Sequence, residues 1–193
     1  MNFESLKEYE NLKEQWHDYE GQGIEEEAKL REKFQRQFAK YSEMARTEFL
    51  KVFERKGFDI NATTLFITAS YGEFKIQLKV GEPNTSTKYE FELAVLKDSR
   101  RMEHRIVIMP REDFHYPKFS TVRELPRLKD HIKKDIQKIC DDILLMKEIQ
   151  KSIETSPFYY AYYRVDNHSP NYKEMKKYLS FTELLENLLS EYS

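Results

Sequence analysis

The feature that most restricts this chain is a long apolar stripe between residues 24 and 56. Leu30, Phe34, Phe38, Tyr41, Ala45, Phe49 and Val52 recur every three or four positions, 22 residues over six steps. That is about 3.67 residues per turn, above the 3.5 that winds a left-handed coiled coil. The stripe therefore predicts one helix over 24–56, roughly 50 Å long at 1.5 Å per residue, with its apolar face laid against a sheet. Glu25/Lys29, Glu27/Arg31 and Glu32/Arg36 fall at i,i+4 and are expected as ion pairs on its wet side. Gly57 is placed to stop it.

Ahead of this helix, Ser5 and Glu8 have the spacing of a capping box, and Leu6, Tyr9, Leu12 and Trp16 form a second stripe. Gly21-Gln22-Gly23 then reads as a break or hinge. Residues 1–23 are thus expected to be a helical arm, and 24–193 a single domain. The arm is acidic: residues 1–33 hold ten acids and five bases, whereas 97–134 hold eleven bases and six acids. The two surpluses are equal and opposite, and the whole chain of 193 residues carries a net charge of -2. Such polarity can steer an anionic partner to the basic part or let two copies dock head to tail.

After Gly57 the period changes from helical to alternating. "TTLFITAS", "EFKIQLKV", "KYEFELAVLK" and "HRIVIMP" read as four strands of a meander over 60–109, joined by connections too short for anything but antiparallel pairing. Phe74, Ile76, Leu78 and Val80 alternate with polar neighbours, so at least one strand has one face in the core and one in water. A connection over 110–126 carries three prolines together with Phe114, Tyr116 and Phe119, which suggests that it packs down. A helix over 127–153 follows, with Leu128, Ile132, Ile136, Ile139, Ile143, Met146, Ile149 and Ile153 on one face. "FYYAYYRV" predicts a strand over 158–165, and the Ser180/Glu183 capping box starts a last helix over 181–191. The fold class is α+β: an antiparallel four- to five-stranded sheet covered by long amphipathic helices, with an N-terminal helical arm.

These elements carry few signs of bond-making chemistry. One cysteine, Cys140, rules out an intrachain disulfide, and together with the polar start predicts a reducing, cytoplasmic setting. Apolar runs are too short to cross a bilayer. No glycine-rich phosphate loop occurs, and the five histidines are scattered; Asp113-x-His115 and Asp166-x-His168 read as turn or cap residues as readily as ligands. No cofactor or metal is expected.

Three readings of function follow. The first is a non-enzymatic protein-interaction module, a binding, inhibitory or accessory factor of phage or mobile-element type, acting as a homo-oligomer or docked to a larger protein. Its contact residues would be Leu6, Tyr9, Leu12 and Trp16 on the arm and Tyr159, Tyr160, Tyr162 and Tyr163 on the aromatic strand, since tyrosine gives large contact area with a polar handle. The second is a nucleic-acid-associated accessory protein. Arg127, His131, Lys134 and Lys138 step along the helix opposite its isoleucines, while Arg100, Arg101 and Arg105 cluster at 97–105 and Arg164 lies beside the tyrosines; together they offer cations to phosphates. The third rests on element order, which is shared with nucleases of the PD-(D/E)xK type. It would place Asp59, Glu73 or Gln77, and Lys75 or Lys79 around a divalent metal. Its fit is poor, because Glu73 falls at a turn and the Gln77 alternative lacks the second acid.

Overall fold

A computed structural model describes residues 3–79, 89–110, 117–119, 124–165 and 174–192. Among the described residues there are three helices and six strands, in the order α1 (Phe3–Arg55), β1 (Asp59–Ala62), β2 (Phe66–Tyr71), β3 (Phe74–Lys79), β4 (Tyr89–Lys97), β5 (Arg100–Pro110), α2 (Lys129–Thr155), β6 (Phe158–Arg164) and α3 (Phe181–Ser190). The chain forms two compact units, one of residues 1–34 with 113–155 and one of residues 35–112 with 156–193. This division differs from the expected arm plus single domain, because α1 contributes to both units.

The predicted break at Gly21-Gln22-Gly23 is not formed: α1 runs through it uninterrupted. Glycine in a helix interior costs about 1 kcal/mol relative to alanine. Each large side chain the helix buries on either side, Trp16 and Leu30 among them, returns about 1.5–3 kcal/mol. Packing also explains one of the glycines. A Cβ on Gly23 would lie 2.5 Å from the ring of Phe119, whereas one on Gly21 would meet nothing within 4 Å. Gly23 is a notch for an aromatic ring and not a joint.

In the first unit, α1 and α2 run in the same direction. Their polar contacts climb together: Glu8 with Lys129 and Lys133, Trp16 with Asp135, Glu26 with Gln150, and Lys33 with Glu154. Between them lie Leu12, Trp16 and Leu30 from α1 and Ile132, Ile139, Met146 and Ile153 from α2, all buried. Of the predicted stripe of α2, Ile132, Ile139, Ile143, Met146, Ile149 and Ile153 are buried, Ile136 is half-buried, and Leu128 precedes the helix and is exposed.

In the second unit the strands form one antiparallel sheet in sequence order, β1 to β6. The sheet therefore has six strands and not four or five. The extra one, β1, pairs Asp59–Ala62 with Ile67–Ser70. The β4–β5 turn is also tighter than expected. Asp98 and Ser99 adopt φ of 50° and 61°, the pattern of a two-residue hairpin turn, so Arg100 and Arg101 are strand residues.

One sheet face is covered by the second part of α1 and by α3. Phe38 packs on Tyr89 and Phe158, and Phe181 on Phe91 and Tyr160, with ring centroids 5.4–5.9 Å apart. The end of α1 is fixed by Gly57 at φ 74°. The amide of Phe58 donates to the Phe53 carbonyl and that of Gly57 to Glu54, while the Phe53 and Phe58 rings meet at 5.0 Å. This is a Schellman stop with its hydrophobic contact.

Candidate functional site

The first unit contains an open concavity with several charged side chains on its wall. It is a cleft of about 670 Å³ lined by Lys118, Glu124, Pro126, His131, Lys134, Asp135 and Lys138. Helical spacing brings the α2 contribution together: positions 131, 134, 135 and 138 fall on one side of the helix at 3.6 residues per turn. The side chains of Lys118, His131, Lys134 and Lys138 are exposed. Three lysines thus face two carboxylates, and one of these is already engaged, since the Trp16 indole N–H donates to Asp135 Oδ2 at 2.6 Å. The surplus among the described lining residues is cationic.

Lys118 reaches this wall because the residue after it is anchored. The Phe119 ring, 2 % exposed, fills the notch at Gly23. Its backbone N–H donates to Glu27 Oε2 at 2.5 Å, and Glu27 Oε1 accepts from Arg31 at 2.9 Å. Glu27 is therefore paired with Arg31 as expected but is buried, not on the wet side of the helix.

Around the other side of α2, Glu8 accepts from Lys129 and Lys133, each at 2.8 Å, and Lys129 also donates to Ser5. The Lys129 hydrogen bond, then that of Lys133, pulls the Glu8 carboxyl from its ordinary value of 4.5 to about 2. The same bond raises Lys133. Burial opposes ionisation of Glu26, yet hydrogen bonds from Lys29 and Gln150 prevail and its pKa is lowered.

The other predicted residues are distributed as follows. Leu12 and Trp16 are buried and Tyr9 is half-buried, so of the four arm residues only Leu6 is exposed. The arm packs along α2 within its own unit and leaves Phe3 and Leu6 exposed near its start. The aromatic strand is divided between the two sheet faces. Tyr160 is buried and its hydroxyl donates to the Tyr41 carbonyl, while that of Tyr162 donates to Glu191, with Asn187 Oδ1 at 3.3 Å as the more distant acceptor. Burial first, then the Glu48 charge, holds the Tyr160 phenol far above its usual range. Tyr159 and Tyr163 pack on Val107, Met109 and Ala161 on the opposite face. Tyr160 is thus a core residue, whereas Tyr162 is half-buried at the rim.

Arg127 is exposed just before α2, next to Pro126 of the cleft. Arg100, Arg101, Arg105 and Arg164 belong to the second unit. There Arg101 pairs with Glu103 at 2.8 Å and Arg105 with Glu92 at 2.7 Å, so two of the hairpin guanidiniums already hold carboxylates. For the nuclease-like set, Asp59 and Lys75 both lie opposite Ser70 in the sheet register, while Glu73 stands in the β2–β3 turn. Among the described residues no group of three or more His, Cys, Asp or Glu gathers as for a metal. Asp113, His115, Asp166 and His168 lie outside the described residues, and no described helix is long and apolar enough to cross a membrane. No family model, curated protein or solved structure matches the chain.

Proposed function

We propose that this protein is a non-catalytic binding protein that holds the phosphate backbone of a nucleic acid in the cleft along α2. The observation that carries this reading is the convergence of Lys118, His131, Lys134 and Lys138 on one open concavity. Lysine ammonium groups are compact, hydrated point charges suited to phosphates. Among the described residues that line the cleft there is neither an arginine nor an aromatic side chain except His131, so the described lining lacks the large apolar anchors on which protein hot spots rely. Its contacts are with backbone charge, which implies weak dependence on base sequence. The test is fluorescence anisotropy with labelled oligonucleotides across a salt series. Binding that weakens steeply with salt, with a slope lowered by about 0.7–0.9 for each lysine removed in Lys134→Ala and Lys138→Ala, supports the reading; salt-independent binding, or none, rejects it.

A second reading, association with a protein or with a second copy of the chain, is favoured by a different observation. Phe3, Leu6 and Leu128 are 70 %, 45 % and 61 % exposed, at the end of the helix pair where Ser5 and Glu8 meet Lys129. Light scattering of the wild type and of a Phe3→Ser/Leu6→Ser/Leu128→Ser variant tests it. An oligomer that dissociates in the variant supports it, and identical monomers reject the self-association.

A further inference from the structure

We propose that Glu27 is a positioning residue for the cleft, holding Lys118 in the nucleic-acid site through the backbone of Phe119. This rests on the reading of the cleft as a phosphate-backbone site and assigns part of its affinity to a residue that touches no ligand.

The inference starts from a carboxylate in the wrong place. Glu27 occupies a core position of α1, between buried Gly23 and buried Leu30, and is only 4 % exposed. A carboxylate removed from water needs hydrogen bonds to both oxygens. Helix formation does not require one here, and an apolar residue would suit the stripe better. Both oxygens are nevertheless used: Oε1 takes the Arg31 guanidinium and Oε2 the Phe119 N–H. The second bond crosses 92 positions of sequence and ties down a stretch that belongs to neither a helix nor a strand.

Gly23 makes the complementary provision. Its missing side chain leaves room for the Phe119 ring, three of whose carbons lie within 2.5–2.9 Å of where a Cβ would sit. Ring and amide of one residue are thus held at two consecutive turns of α1. Lys118 is the adjacent residue, is exposed, and is the one lysine from outside α2 among the described residues that line the cleft. Docking of Phe119 therefore determines whether the cleft is a two-sided groove or only a helix face. Without it, His131, Lys134 and Lys138 would present charge along one line, and a bound strand would lose the ammonium on its other side.

The test uses the full chain with Glu27→Ala, Glu27→Gln and Lys118→Ala, a fluorescein-labelled DNA oligonucleotide as probe, and two readouts. One is the slope of log affinity against log salt; the other is hydrogen exchange at the Phe119 amide. Far-UV circular dichroism establishes that each variant is folded, and exposed Lys118 can be replaced without disturbing the core. Lys118→Ala should lower the slope by about one contact, 0.7–0.9, with Phe119 exchange unchanged. Glu27→Ala should lower it by the same amount and speed that exchange. Glu27→Gln retains an acceptor oxygen and should resemble the wild type in both. If the wild type binds with a steep slope that Glu27→Ala or Lys118→Ala leaves intact, the positioning role is overturned while the cleft reading stands. If Phe119 exchange in Glu27→Ala matches the wild type, the positioning role also fails. Absence of salt-sensitive binding by the wild type overturns both.

Discussion

The glycine pair in α1 gives the sharpest prediction about packing. Gly21→Ala and Gly23→Ala are the same chemical change two residues apart in one helix, and they should have opposite signs. At Gly21 a new methyl group meets nothing within 4 Å, so only backbone propensity acts, and a gain of about 0.8–1 kcal/mol is expected. At Gly23 the same gain is opposed by overlap with Phe119 at 2.5, 2.6 and 2.9 Å, too close for the ring to remain. Overpacking of this kind costs about 1–3 kcal/mol. Displacement of the ring also takes the Phe119 N–H from buried Glu27, and an unsatisfied buried polar group adds about 1–3 kcal/mol. The net effect at Gly23 is a loss of about 1–5 kcal/mol. Urea unfolding followed through Trp16, the sole tryptophan and part of the same unit, measures both. A third variant isolates the cause: in a Phe119→Ala background, Gly23→Ala should become stabilising by about 0.8–1 kcal/mol, like Gly21→Ala. If the two glycines respond alike, or the Phe119→Ala background does not reverse the sign at Gly23, the notch explanation is refuted.

Two further outcomes follow from the helix pair. Trp16→Phe removes the indole N–H that Asp135 Oδ2 accepts at 2.6 Å and should destabilise the first unit by about 1.5–3 kcal/mol, the range for a hydrogen bond to a charged group; thermal unfolding of the variant measures it. The Glu8 carboxyl is lowered on folding from 4.5 to about 2, so its contribution is present above the unfolded value and is lost as pH falls through the folded one. Wild type and Glu8→Gln should therefore differ in stability at neutral pH and converge between about pH 4.5 and pH 2; a constant difference across that window would contradict the Lys129–Glu8–Lys133 bridge.

What could be read from sequence was what depends on near neighbours. The stripes of α1 and α2, the meander and the C-terminal capping box all follow from periodicity, and each lies close to its expected position. Ser180 accepts from the Glu183 amide as the capping box requires. β1 was missed because Asp59–Ala62 has four residues and a mostly exposed pattern, too little to register as alternation. The β4–β5 turn was placed too wide because Asp98 and Ser99 adopt positive φ without a glycine to announce it. At Gly21-Gln22-Gly23, residue type suggested a break, but the reason for Gly23 lies 96 positions away at Phe119.

The candidate site divides along the same line. His131, Lys134 and Lys138 were legible as a basic stripe because helical spacing puts them together. Lys118 was not, since its place in the cleft depends on a tertiary contact of Phe119 with α1. The hairpin arginines were visible as positive charge, but Glu92, which neutralises Arg105, is brought opposite it by strand register. The arm residues Leu12 and Trp16, expected as contact residues, are buried within the first unit instead, because their partners on α2 lie more than a hundred positions away in sequence.

Lysine footprinting by amine-reactive labelling and mass spectrometry, with and without a DNA oligonucleotide at low salt, examines the nucleic-acid reading most directly. Protection concentrated on Lys118, Lys134 and Lys138, with Lys75 and Lys79 of β3 labelled as in the free protein, is the predicted result. Unchanged labelling of the three cleft lysines under conditions where the oligonucleotide is bound would contradict it.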